Sequence, residues 1–214
     1  LEIGGVTPSA GVIAEARKIQ GIILNVIIRP RGGDFLYNEY EAACMEQDIR
    51  TCKTLGVDGV GIGALTAEGE IDTELCSRLI SAANGMSVTF HRAFDMCHDP
   101  RKALEELISL GCHRVLTSGL SATAEAGIPL LRELVQQAAG RIIIMPGCGV
   151  NSGNAARILQ TTGATEIHAS ARKSVGSGMK FRHRGVSMGN PDCDEYARKE
   201  TDVNEVKAIV DSIS

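Results

Sequence analysis

The sequence predicts an α/β fold of the (β/α)8 TIM-barrel type, here incomplete with six parallel strands visible. Three observations carry that reading. Short apolar runs alternate with helical stretches along the whole chain, joined by loops of a few residues. Such alternation gives parallel strands linked by right-handed crossovers. Within two of the strands polar residues recur on one face, Thr89 with His91 and Glu166 with His168, as expected where a barrel interior opens into a polar mouth. Glycines are also frequent at strand ends. A doubly wound open sheet is the alternative that the same alternation allows.

Each element has its own signal. Leu1–Ser9 is a glycine-bearing loop, and Thr7-Pro8 opens a helix to about Lys18. Ile22–Ile28 is a buried strand ending in Arg29-Pro30-Arg31-Gly32-Gly33-Asp34. Glu39–Leu55 is helical and stops at Gly56; Asp58–Gly63 is a glycine-rich second strand. Asp72 caps a helix to about Ala83, and Ser87–Asp95 (SVTFHRAFD) is a third strand that ends in His91-Arg92 and turns. Asp99-Pro100 supplies a cap and a first helical position for Arg101–Leu110, with Gly111 as the left-handed stop. Arg114–Thr117 is the fourth strand, Gly127–Ala138 a helix, and Arg141–Met145 the fifth strand. Asn151 caps the next helix, Thr165–Ser170 is the sixth strand, and Ala171–Asp194 reads as a long loop. Thr201 or Asp202 caps a last helix to about Ile213.

No linker or second composition regime interrupts this order, so one domain is expected over residues 1–214, with a C-terminal loop and helix over 171–214. An eight-stranded barrel usually needs about 250 residues. One strand–helix–strand unit is therefore expected ahead of Leu1.

Of the 214 residues, 43% are hydrophobic and 22% charged, the composition of a globular chain able to build a core. A formal net charge of −4 argues against a general nucleic-acid binder. No apolar run approaches the roughly 20 residues that cross a bilayer, and no signal-peptide pattern is present. Seven cysteines, an odd number with no C-x-x-C, fit reduced thiols in an intracellular protein.

Several constellations could carry chemistry. Arg29 and Arg31 stand beside a turn rich in N–H groups, and guanidinium forks suit carboxylate or phosphate; pairing with Asp34 to close the barrel mouth is the structural alternative. Ser118-Gly119 and Gly147-Cys148-Gly149 follow successive strands and could turn backbone N–H groups toward an anion, or simply serve tight turns. His91 and His168 are the histidines at clear strand ends, suited to acid–base work, metal ligation or a buried structural role. With Arg92 and Asp95 these residues form one candidate ligand pocket: Arg29, Arg31, Asp34, His91, Arg92, Asp95, Ser118, Gly147, Gly149 and His168.

Spacing names no metal. No H-x-x-x-H pair stands out. Met96-Cys97-His98 is a soft-donor cluster, but three adjacent residues cannot readily face one ion. Cys44 and Cys52 lie about 80° apart around a helix; Cys76 and Cys112 read as small buried hydrophobes, and Cys193 as an exposed thiol. Cys148, His91 and His168 are the metal-ligand candidates.

Six strings carry a family resemblance: IRPRGGDF (28–35), TFHRAFD (89–95), VLTSG (115–119), MPGCG (145–149), GATEIHASAR (163–172) and GMKFR (178–182). Together they resemble an animal-type member of the CutC copper homeostasis family, in order from about Gly4 to Val206. The resemblance implies a (β/α)8 barrel, a cytosolic setting with the nucleus as an alternative, Cu(I) as the bound ion, and a homo-oligomer, dimer or tetramer. It also implies that the family's first strand, first helix and second strand are absent here, and with them the cysteines proposed as copper ligands in animal members. Cys148 stands where the family usually has glycine. The functional expectation is a Cu(I)-binding copper homeostasis protein without turnover; the alternative is a barrel enzyme acting on a small anionic carboxylate or phosphate metabolite. No nucleic-acid or membrane partner is expected.

Overall fold

The computed structural model describes residues 4–183, 185–186 and 194–214. Five parallel strands, β1 (Asn25–Ile27), β2 (Gly59–Ile62), β3 (Ser87–Phe90), β4 (Arg114–Thr117) and β5 (Ile143–Pro146), lie side by side in chain order. Between them run α1 (Ala10–Arg17, ahead of β1), α2 (Glu39–Thr54), α3 (Thr73–Ala83), α4 (Pro100–Ser109) and α5 (Ile128–Ala138); α6 (Ala155–Thr162) follows β5. A short 3-10 turn, Arg92–Met96, leads out of β3.

Successive strand side chains point to opposite faces, and here the two faces differ. Val26, Val60, Val88, Val115 and Ile144 are buried together with Ile62 and Phe90 on the helical side. On the other face one row crosses the sheet, Ile27, Gly61, Thr89, Arg114 and Ile143 in register. The helices neighbour one another as α1–α2, α2–α3, α4–α5 and α5–α6. This one-sided layering is that of a barrel wall, with an inner face of mixed polarity. Caps set the helix starts: Asn38 and Glu41 form a capping box for α2, Asp72 caps α3, and Asp99 with Pro100 opens α4. Each such cap stabilises by about 1 kcal/mol.

Four sequence expectations are corrected. The sixth strand is reduced to one parallel bridge between Gly147 and His168, closed by the His168 N–H donating to the Pro146 carbonyl at 2.8 Å. The rest of that segment makes no strand ladder among the described residues. Second, the expected loop from 171 contains β6 (Arg172–Gly176), which pairs antiparallel with β7 (Ala197–Thr201) before α7 (Val203–Ile213). Its residues are mostly exposed, so backbone pairing rather than an apolar pattern makes it a hairpin. Third, the first strand is shorter than Ile22–Ile28: β1 pairs in register with β2 over Asn25–Ile27, with flanking backbone hydrogen bonds at Leu24 and Ile28, while Ile23 is exposed. Fourth, Ser9 caps α1, and Asn154 occupies the cap position of α6 in place of Asn151. Thr7 instead anchors the end of β1, its hydroxyl accepting from the Arg29 N–H at 2.9 Å. Cys193 lies outside the described residues.

Candidate functional site

His91 follows the last residue of β3 and is buried, 5% exposed. Its Nδ1 accepts a hydrogen bond from the Ala93 N–H at 3.1 Å. In a neutral ring that places the proton on Nε2. Burial first, then the nearby Arg29 charge, push its pKa down to about 3, so the ring is neutral at pH 7. Nε2 is buried with no hydrogen-bond partner among the described residues. The ring lies 5.3 Å from that of Phe35, centroid to centroid. Arg29 stacks on the same Phe35 at 4.9 Å and donates to the carbonyls of Gly33 (2.7 Å) and Gly5 (3.2 Å). Arg29 and His91 are thus brought together through Phe35.

Arg31 and Asp34 do something else. The Arg31 guanidinium meets the Glu41 carboxylate, donates to the Leu36 carbonyl at 2.8 Å, and pairs with Asp34 at 3.0 Å. It ties the loop after β1 to the first turn of α2. This is the mouth-closing pairing, not an open anion clamp.

Asp95 is the centre of a second group. Its carboxylate accepts from the Thr117 hydroxyl, from the Ser118 N–H at 2.9 Å, and from Arg92 Nε at 2.7 Å. Arg92 Nη2 reaches the Ser118 hydroxyl at 3.5 Å. The turn after β3 is in this way fastened to the end of β4.

Gly147 and His168 make the third. The Gly147 N–H donates to the Thr117 carbonyl at 2.9 Å. A Cβ on Gly147 would lie 2.5 Å from Leu116 Cδ1 and 3.2 Å from His168 Cβ, so the close approach of strand and histidine requires glycine. His168 is exposed; atoms packed around its ring, then the charges of Arg172 and Arg92, lower its pKa. Gly149, at φ +71°, turns the chain against Thr123. Cys148 adopts φ +89°, a conformation that favours glycine, and its thiol donates to the Ala122 carbonyl at 3.2 Å. Just before α6, Glu205 of α7 accepts from the Ser152 N–H at 2.8 Å and from its hydroxyl at 3.1 Å.

Three adjoining groups therefore stand at the carboxyl ends of the strands, Arg29–His91, Arg92–Asp95–Ser118 and Gly147–His168, with Arg31–Asp34 separate. The sequence reading missed Phe35, Gly63, Thr117 and Arg114. Arg114 makes a two-pronged pair with Glu166 at 2.6 and 2.9 Å and donates to Ser87 Oγ at 2.9 Å. The inward face shared by Glu166 and His168 was the available signal for a basic partner.

Metal ligation fits these residues poorly. Among the described residues no group of three His, Cys, Asp or Glu could hold an ion. Cys52, Cys97 and Cys112 are buried, and burial pushes their thiols up to about 11, 12 and 12; Cys76 is raised in the same way. Thiolate is the ligating form, so these four are poor donors. His91 would have to give up its Ala93 bond or its Nε2 proton to ligate. Met96 is exposed beside the buried Cys97, so that cluster does not face one point.

The model of the CutC family matches residues 1–173. A CutC family protein of Bacteroides thetaiotaomicron is 54% identical over 98% of this chain and 85% of its own length. The Homo sapiens copper homeostasis protein cutC homolog is 51% identical over 98% of this chain and 77% of its own. A crystal structure of CutC from Streptococcus agalactiae superposes with a TM-score of 0.76 at 40% identity, covering 78% of this chain and 83% of that one. An aldolase, QR15, at 15% identity and a TM-score of 0.59, shares the fold alone.

Proposed function

The chain belongs to the CutC family, and on that premise we propose that it serves copper homeostasis by binding Cu(I) in the cytosol. Relatives in this family carry the name copper homeostasis protein. The observation that carries the ion-binding part is the placement of Cys148. It combines a position at the carboxyl end of a strand with partial solvent access. Cys44 is exposed but sits on α2.

Thiolates select Cu(I) among the available ions. One thiol does not make a cage, so Cu(I) is cargo held at Cys148 with its further ligand drawn from solution. The cytosolic part is supported by the free state of every described cysteine and the redox preference that this reflects. Among the described residues no helix is long and apolar enough to cross a membrane. A homo-oligomer, dimer or tetramer, belongs to the same proposal; sedimentation velocity tests it, and a monomer at micromolar concentration overturns that part.

Titration with Cu(I) against a chromogenic chelator tests the rest. One ion per chain, lost in Cys148→Ser with the circular dichroism spectrum unchanged, is the expected result. Failure to compete with the chelator, or equal binding by Cys148→Ser, overturns the assignment.

A further inference from the structure

We propose that the inner face of the sheet binds a small carboxylate over Gly61, with the His91 Nε2–H and the Thr89 hydroxyl as its donors. The proposal is independent of the copper reading.

The space comes from β2. Its inward positions, taken every second residue, are Gly59, Gly61 and, just past the strand end, Gly63. Two of the three are covered: a Cβ on Gly59 would collide with Asn25 Oδ1, and one on Gly63 with the His91 ring. A Cβ on Gly61 would meet backbone alone, Ile27 Cα at 3.8 Å and the Thr89 carbonyl oxygen at 4.0 Å. No side chain therefore fills the groove between β1 and β3 at that level. Ile27, Gly61, Leu116 and Met145 on the same face are half-buried, so the groove opens toward the inner side of the wall.

Two unspent donors border it. Thr89 is the register partner of Gly61, and His91 stands on the same face about 7 Å further along the strand. They are 8% and 5% exposed. His91 Nδ1 accepts from the Ala93 N–H, which leaves the ring proton on Nε2, where it has no partner among the described residues. The Thr89 hydroxyl has none either. Buried donors left without acceptors are costly, and a carboxylate has two acceptor oxygens, one for each.

The charged neighbours agree. The β1–β2–β3 ladder continues through the Ile28 N–H to the Gly61 carbonyl and the His91 N–H to the Ile62 carbonyl, so Arg29 lies across Gly63 from His91 and brings a positive charge to that row. Glu166, the carboxylate near the level of Thr89, is held in two prongs by Arg114.

The test is NMR of the protein with isotope-labelled histidine nitrogens, titrated with acetate and with pyruvate at constant ionic strength. The His91 Nε2–H signal should move downfield and saturate, with millimolar or tighter affinity. His91→Asn keeps an oxygen for the Ala93 N–H but has no donor at the Nε2 position, and should weaken binding about tenfold or more. Gly61→Ala adds a methyl group with ordinary clearance; it should fold as the parent does and bind more weakly, because the groove is narrowed. Cys148→Ser should bind as the parent does. Tighter binding of pyruvate points to a keto acid and tighter binding of acetate to a simple carboxylate; either supports the site. An unmoved Nε2–H signal, shifts reproduced by chloride, or parental affinity in Gly61→Ala or in folded His91→Asn overturns it.

Discussion

A Cβ placed on Gly63 would stand 2.4 Å from Cε1 of His91 and 2.8 Å from the Ala93 Cβ. The buried imidazole therefore packs against bare backbone just past the end of β2, and a single methyl group is too much for that contact. Gly63→Ala should lower stability by about 1–3 kcal/mol, the usual cost of overpacking. Urea unfolding measures it; a midpoint equal to the parent's would show that the ring can move aside freely.

His91 also sets a pH dependence. Its folded pKa of about 3 lies below the ordinary 6.5, so between those values the unfolded chain binds the proton more readily. Its contribution is fully present above pH 6.5 and is lost as the pH falls, by up to about 1.4 kcal/mol per unit, levelling below pH 3. His168, lowered too, adds in the same direction. The His91 Cε1–H resonance should stay flat from pH 8 to pH 5, and a midpoint near 6.5 would contradict the burial described.

Cys148 holds a backbone conformation that costs a side chain about 1–2 kcal/mol. Cys148→Gly should raise stability by about 1 kcal/mol after glycine's greater unfolded-state entropy is subtracted. Calorimetry decides it, with Cys148→Ala as the control that should gain nothing. The same glycine variant should lose Cu(I), so the residue trades stability for a donor.

The Arg114–Glu166 pair crosses from β4 to the segment that carries His168. Its side chains are 27% and 32% exposed, so its strength lies between that of surface and buried pairs. A double-mutant cycle with Arg114→Met and Glu166→Leu should give a coupling of about 1–2 kcal/mol. Coupling near zero would mean that the single bridge at Gly147 holds the segment unaided.

The parts of this molecule legible in the sequence were those written locally. Strand-sized apolar runs, Asp99-Pro100 and the glycine stops placed most elements within a few residues, because capping and periodicity depend on near neighbours. Arg31 was read with both of its fates open, and its pairing with Glu41 decided between them. What escaped was set by long-range contact. Residues 165–170 alternate as a strand should, yet a strand also requires neighbours. The hairpin of β6 and β7 has no apolar alternation to announce it. Glu205 lies in an ordinary first helical turn, and nothing near it in the sequence indicates that it fills the donors of Ser152. The lone Nε2 proton of His91 depends on Ala93 only two residues away, but its burial depends on Phe35 and Gly63.

The order β1-β2-β3-β4-β5 has a consequence for how the molecule is made. Each strand from β2 to β5 finds a partner in the strand synthesised just before it. Domains form from the amino end during translation. Once α4 has left the ribosome, β1, β2 and β3 can already hold their final register, with Gly63 in place to receive His91.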